Sequence, residues 1–362
     1  MSTILIYCRP GFEADCAEEL QFLAARGGFG CDVRTVPETG QVEAELAGAG
    51  ELHSRHSPVR WRDLVFARQM FEVLFRATGL PDEDRVTPIL QQLRRNLVAA
   101  RCLPFTDVFV ECPDTNEGKR LIGFCKQFEY PLRAALTEGG LLDPAASSDL
   151  RLHVFFLSWS EAVVGIANRA NSAPWPMGIP RLKFPAGAPS RSVLKLDEAF
   201  NVLLRPDEQK RWLRPGAHAV DLGAAPGGWS FLLAKRGLRV LAVDRAKLAR
   251  EVLSTGLVTH VPGNAYEYEP PRPTDWLVCD VVDQPQRIAR LMARWLGERM
   301  AKRAIFNLKL PMKRRWAMVK ECLDFVRTEM ARHGFADDDI ILRSKQLYHD
   351  RREVSVFLGR RG

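Results

Sequence analysis

The sequence predicts an α/β protein whose second half is a doubly wound, mostly parallel sheet ending in an antiparallel hairpin, behind an α+β first half. Three observations point there. Between His218 and Gly334, strand-length apolar runs alternate with stretches of helical spacing, the pattern of a parallel sheet covered on both faces. DLGAAPGGW, Asp221 to Trp229, puts glycines and a proline where a strand gives way to a helix. Two late runs, DDIILRSKQLY and EVSVFLG, are joined by the short HDRR, as a hairpin at a sheet edge would be.

Taken in order, STILIYC reads as a strand and FEADCAEELQFLAAR as a helix, and LVFARQMFEVLFRATGL closes a small α+β unit over residues 1–80 as strand or helix. A second unit, 81–167, has a helix at ILQQLRRNLVAAR and strands at FTDVFVECP, LRLHVFFLSW and EAVVGIAN. Residues 168–190 carry Pro174, Pro176, Pro180, Pro185 and Pro189, too many for a helix or a central strand, and read as an extended connector. From 191 to 362 come strands at HAVDLG, RVLAVD, VTHVPGNA, DWLVCD and AIFNLKL, and helices at WSFLLAKRG, QRIARLMARWLGERM and RWAMVKECLDFVRTEMARHG. The late hairpin follows.

Composition narrows the class of protein. With 362 residues, 46% hydrophobic and 27% charged, the chain is an ordinary globular one of two or three domains. No apolar run spans a bilayer and MSTILIYCRP is no signal peptide, so a cytoplasmic protein is expected. Eight cysteines without a CxxC pair suggest reduced thiols, and His53 and His56 lack partner ligands nearby, so no metal is expected. The net charge of +8 is unevenly spread: 20 Lys and Arg face 23 Asp and Glu in residues 1–189, against 32 and 21 in 190–362. The basic excess sits wholly in the second half and suits a polyanionic partner, with Lys183, Lys313, Arg314 and Arg315 as candidate phosphate contacts.

The chemistry gathers at predicted strand ends. Gly223, Gly227 and Gly228 permit tight turns where an open sheet binds ligands, while Ala225 and Pro226 break the dinucleotide fingerprint GxGxxG. Asp244 ends the second strand, where an acid either accepts from ribose hydroxyls or caps a helix. Asp280 ends the fourth strand and Lys309 lies near the end of the fifth. In AIFNLKL, Asn307 and Lys309 share a face by period two, and an ammonium on a core strand must be compensated for lost hydration. If the two strands are neighbours, Asp280 orients Lys309 while burial lowers its pKa towards that of a general base. A structural ion pair is the plainer alternative.

SRSVLKLDEAF, DLGAAPGGW, the Asp280 strand, FNLKLP and RREVSVF together resemble the ribose 2′-O-methyltransferases of the FtsJ-like superfamily, which have a Rossmann-like fold. The resemblance implies a tetrad of Lys195, Asp280, Lys309 and Glu353, with Lys309 as base. It implies S-adenosyl-L-methionine as cofactor, contacted by Ser192, the turn Ala225-Pro226-Gly227-Gly228, Asp244 and Asp280. At Ala225 the family often has Cys, and at Asn264 its pattern has an acid near the adenine. The connector, FNLKLPMK and QLYHDRREV resemble a bacterial branch that methylates one cytidine of 23S rRNA and carries an RNA-binding THUMP domain in its first half. That implies a 23S rRNA substrate not yet fully assembled into the subunit; the residues leave the oligomeric state open, with a monomer the default. A small-molecule or protein methyltransferase would share the cofactor turn without needing two lysines, and a non-catalytic RNA-binding factor would not need all four residues.

Overall fold

The computed structural model describes residues 2–54, 56–100 and 104–361. Cys102 and Arg101 lie outside them. The chain divides into two compact units, Met1–Ile179 and Pro180–Gly362.

The first unit is built on one seven-stranded sheet. Strands β1 (Ser2–Tyr7), β2 (Gly30–Thr35), β3 (Gln41–Ala47), β4 (Gln69–Ala77), β5 (Asp107–Glu111), β6 (Leu150–Ser158) and β7 (Glu161–Asn168) lie in the order β2-β3-β1-β4-β7-β6-β5. Antiparallel pairing of β4 with β7 hydrogen-bonds the 1–80 and 81–167 stretches into a single sheet. Helices α1 (Glu13–Gly27), α2 (Val86–Ala100) and α3 (Gly118–Glu138) accompany it. The strand-or-helix ambiguity over Leu64–Leu80 resolves as strand β4.

Three elements here are absent from the sequence reading. β2 is largely exposed, so it has no apolar face to read. β3 alternates cleanly in burial, with Val42, Ala44 and Leu46 inwards, yet the run is short and not strongly apolar. α3 carries Pro131, which breaks a pattern search, yet Leu121, Cys125, Phe128, Leu132 and Leu136 fall at helical spacing and are buried.

The second unit is an α/β fold of Rossmann-like type. Its strands are β8 (His218–Leu222), β9 (Arg239–Val243), β10 (Val258–Val261), β11 (Thr274–Cys279), β12 (Ala301–Lys309), β13 (Ile340–Lys345) and β14 (Glu353–Arg360), in the order β10-β9-β8-β11-β12-β14-β13. The first five run parallel; β14 pairs antiparallel with both β12 and β13. Around the sheet are α4 (Val193–Leu203), α5 (Pro206–Trp212), α6 (Gly228–Lys235), the short α7 (Arg250–Leu253), α8 (Pro285–Gly297) and α9 (Arg315–Arg332). In α8, Ile288, Leu291, Met292, Trp295 and Leu296 form one buried stripe while Arg287 and Arg290 face outwards. Trp276, Trp295, Phe306 and Phe357 are among the largest fully buried side chains, each contributing roughly 1.5–3 kcal/mol by leaving water.

The hairpin connection differs from expectation. β13 ends at Lys345, so the link runs over 346–352 rather than through HDRR alone. The reason is a tether: Glu198 on α4 accepts from the backbone N–H groups of Tyr348 and His349, both at 2.8 Å, and pairs with His349 Nδ1 at 2.7 Å. Three bonds to one carboxylate hold this loop out of the ladder.

Candidate active site

Sheet order places the site. β8 leads to β9 on one side and lies against β11 on the other, the switch point at which open α/β sheets bind ligands beyond the carboxyl ends of their strands. Parallel pairing sets Cys279 beside both Leu222 and Phe306, so Asp280 emerges between the ends of β8 and β12. Antiparallel pairing sets Lys309 directly opposite Glu353 and Asn307 opposite Ser355. Lys195 arrives from the first turn of α4.

These residues converge. Lys195 Nζ lies 3.0 Å from Glu353 Oε2, 3.5 Å from Asp280 Oδ2 and 3.0 Å from Asp350 Oδ2. Lys309 Nζ lies 3.6 Å from Asp280 Oδ1 and pairs closely with Glu353. Asn307 Nδ2 donates to Asp280 Oδ1 at 2.9 Å, and its own Oδ1 accepts from Ser355 Oγ at 2.7 Å. Asn307 thus fixes the carboxylate that faces the lysine two residues along its own strand.

Burial lowers the pKa of Lys309, outweighing the upward pull of Asp280, and Lys195 lowers it further. Both lysines keep about a fifth of their side chains exposed, 20% for Lys195 and 22% for Lys309, so the cluster opens to solvent on one side. With both lysines charged, three carboxylates against two ammonium groups leave one net negative charge. Such a cluster fits a cationic ligand.

The turn after β8 is formed by close packing. Gly223 has φ +73°, and a Cβ there would stand 2.4 Å from Val281. A Cβ on Gly228 would stand 2.3 Å from Ser192 Oγ and 2.6 Å from Ser190 Oγ, so the helix start at α6 lies directly against the Ser192 segment. Trp229 Nε1 donates to the Ser192 carbonyl at 3.0 Å, closing that contact. Gly227, with φ +113°, is the left-handed residue that lets α6 begin after Pro226.

Asp244 accepts from the N–H of Ala225 at 2.9 Å and of Ala246 at 2.8 Å, so it braces the turn, and each oxygen retains a free lone pair for a hydroxyl. Asn264 is engaged locally: it donates to Glu267 at 2.7 Å and accepts from the Tyr266 N–H at 3.2 Å. Asp221 is fully buried and receives Ser230 Oγ at 2.6 Å. Burial, aided by Asp280 and Asp244, pushes it up to about 7.

Sequence reasoning missed Asp350, Asn307 as a positioning group, and two exposed apolar side chains in the segments that follow Asp280 and Lys309, Val282 and Met312, at 83% and 78%. Asn307 had a signal, its period-two relation to Lys309. Asp350 had none, because only the tethered loop brings it to Lys195. Of the candidate phosphate contacts, Lys183, Lys313 and Arg314 are exposed and Arg315 is half-buried. Among the described residues no cluster of His, Cys, Asp and Glu is arranged to hold a metal, and no helix is long and apolar enough to cross a membrane.

Comparison with known proteins places the chain in a family. The ribosomal RNA large subunit methyltransferase M of Xanthomonas campestris pv. campestris (strain B100) is 44% identical over 357 residues, covering 98% of this chain and 99% of that protein. The chain belongs to the ribosomal RNA large subunit methyltransferase M family. The protein of that name from Stenotrophomonas maltophilia (strain R551-3) is likewise 44% identical, over 98% of this chain and 96% of its own. Three family profiles tile the sequence: the RlmM ferredoxin-like domain over residues 1–71, the methyltransferase M N-terminal region over 84–168, and FtsJ-like methyltransferase over 188–310. The last spans Lys195, Asp280 and Lys309 and stops short of Glu353.

Proposed function

We propose that the protein transfers a methyl group from S-adenosyl-L-methionine to the ribose 2′-hydroxyl of a cytidine in 23S rRNA, acting on RNA not yet fully assembled into the subunit. The observation that carries the reading is the convergence of Lys195, Asp280, Lys309 and Glu353, brought from three strand ends and a helix to one open crevice. Relatives covering nearly the whole chain bear the name of a large-subunit rRNA methyltransferase, which supports rRNA as the acceptor.

Ser192, Gly223, Ala225, Pro226, Gly227, Gly228, Asp244, Asn264 and Asp280 would hold the cofactor, whose chemistry is a methyl group on an electrophilic sulfonium. The net negative cluster suits that positive charge. Lys309, neutral, takes the proton of the 2′-hydroxyl, so that the oxygen becomes nucleophilic as it meets the methyl. Lys195, held by Asp280, Asp350 and Glu353, orients the hydroxyl oxygen. Asp280, fixed by Asn307, and Glu353 position Lys309. Val282 and Met312 offer apolar surface to the target nucleobase.

The test is methyl transfer from labelled S-adenosyl-L-methionine to unmodified 23S rRNA, with the product mapped by alkaline cleavage. A single protected cytidine is expected, since a 2′-O-methyl blocks cleavage at its own nucleotide. Label on a base, with cleavage intact, would discard the lysine mechanism. Transfer only to another RNA would keep the chemistry and replace the substrate.

A further inference from the structure

The second unit's sheet has another end. Where β11 and β12 begin and β14 finishes, a cavity of about 690 Å³ lies between the sheet and α5. Arg303, at its wall, is six residues before Lys309 on β12, so the two ends are separated by roughly 20 Å at ~3.3 Å per residue.

Eight cationic side chains and only two carboxylates line this cavity. Both carboxylates are already engaged. Glu208 receives both Nη groups of Arg343, at 2.5 and 2.7 Å, and the Arg205 N–H at 2.7 Å. Asp275 receives Lys302 Nζ at 2.8 Å and the His218 N–H at 3.1 Å. Arg205, Arg211, Arg214, Arg303, Arg360 and Arg361 therefore converge with no carboxylate paired to any of them among the described residues.

Two details separate this from a solvated fringe of arginines. The Nε groups of Arg303 and Arg360 are buried without a hydrogen-bond partner, so both side chains are packed into the wall rather than free in solvent. Trp212 holds the guanidinium of Arg303 at 4.4 Å and that of Arg211 at 5.0 Å from its ring, fixing donors that free side chains would scatter into solvent. Burial outweighs the upward pull of Asp275 and, with Arg211, Arg360 and Arg214 close by, pushes Arg303 down to about 10. Planar, fixed, crowded guanidinium groups match the oxygens of phosphate.

We propose that this cavity is a second phosphate-binding site, which takes the phosphodiester backbone of the rRNA substrate at the sheet end opposite the candidate active site. This rests on the reading of the protein as an rRNA methyltransferase. An RNA strand is favoured over a free oligophosphate because Arg205, Arg211, Arg214 and Arg361 are exposed and carry the positive surface beyond the cavity itself. A bound RNA would thereby be gripped at two places ~20 Å apart, one at the chemistry and one remote from it.

The experiment uses the full chain and unmodified 23S rRNA, with Kd measured across a salt series. In the combined Arg211→Ala, Arg214→Ala and Arg361→Ala variant, all at exposed positions, Kd is expected to rise at least ~10-fold, and the salt dependence to fall by about 0.7–0.9 for each phosphate no longer gripped. Affinity for S-adenosyl-L-methionine and single-turnover transfer at saturating RNA should stay as in the unmodified chain. The same three positions changed to Lys should recover much of the affinity. Unchanged Kd and salt slope in the Ala variant, with rRNA still methylated, would overturn the site alone. Loss of tripolyphosphate binding with RNA affinity unchanged would overturn it in favour of a free oligophosphate. Failure of the unmodified chain to bind or methylate any RNA would overturn both this site and the function on which it rests.

Discussion

Each unit contains a cluster of ionisable side chains, and the two are built oppositely. In the first, Glu111 accepts from Tyr7 Oη at 2.7 Å, pairs with His153 Nδ1 at 2.8 Å and accepts the Met177 N–H. Glu111 and His153 have no exposed side-chain surface, and the Phe71 ring stacks on His153 at 5.1 Å. Burial, then Glu111, raises the Tyr7 hydroxyl well above its ordinary value. In the second, Lys195, Lys309 and Asp280 are 18–22% exposed, Asp280 meets the lysines only at 3.5 and 3.6 Å, and Lys309 is lowered rather than locked. A sealed cluster with short bonds serves the fold. An open one, with donors and charge to spare, is arranged to act on something that enters.

That contrast is broken or sharpened by substitution. The largest effect is expected from Lys309→Ala, which should cut turnover about 10²–10⁴-fold while cofactor affinity by calorimetry stays near that of the unmodified chain. Near-normal turnover would make the open cluster structural like the sealed one. Glu111→Ala should do the converse. Removing one partner of a buried pair costs about 3–5 kcal/mol, seen as a lower denaturation midpoint, whereas turnover per folded molecule stays constant.

Asp221 is sealed too, though it lies beside the open site. Its folded-state pKa, pushed up to about 7, exceeds the ordinary 3.8, so the folded chain binds its proton more tightly. Stability from this group is present below pH 4 and is lost as pH rises towards 7. Asp221→Asn should therefore gain stability relative to the unmodified chain across that interval and run parallel to it above pH 7, as urea unfolding at several pH values would show.

The smallest effect concerns the acid limb of activity. On the proposed mechanism Lys309 must be neutral, and burial lowers its pKa, so turnover should rise with pH and level off below the ordinary lysine range. Asp350 contacts Lys195 at 3.0 Å and adds negative charge to the cluster. Asp350→Asn should move that limb to lower pH, by less than about one unit, since a nearby carboxylate favours charged lysine. A pH–rate profile that does not move would assign Asp350 to holding the loop alone.

Much of the second unit was legible because its parallel strands are continuous apolar runs and its helices have one apolar stripe. Asp280 and Lys309 were readable as residues at strand ends, and Asn307 as a neighbour on one face. The first unit was harder. β2 is largely exposed, and α3 contains Pro131, so neither announces itself by pattern. The arginines around Arg303 were visible only as a basic excess, because charge counted along a chain does not say which residues meet.

By itself the sequence determined where strands and helices of the second unit would alternate, which residues would lie at the carboxyl ends of its strands, and that the positive charge would fall in that half. Period two and period 3.6 are local properties, so the residues concerned carry that information themselves. Tertiary structure alone decided that Lys195, Asp280, Lys309, Asp350 and Glu353 share one crevice while Arg303 and Arg360 share a cavity at the other end of the same strands. Those meetings depend on strand order and register, which are fixed by hydrogen bonds between segments distant in the chain, such as β8 with β11 and β12 with β14, and by the reach of Lys195 on α4 to Glu353.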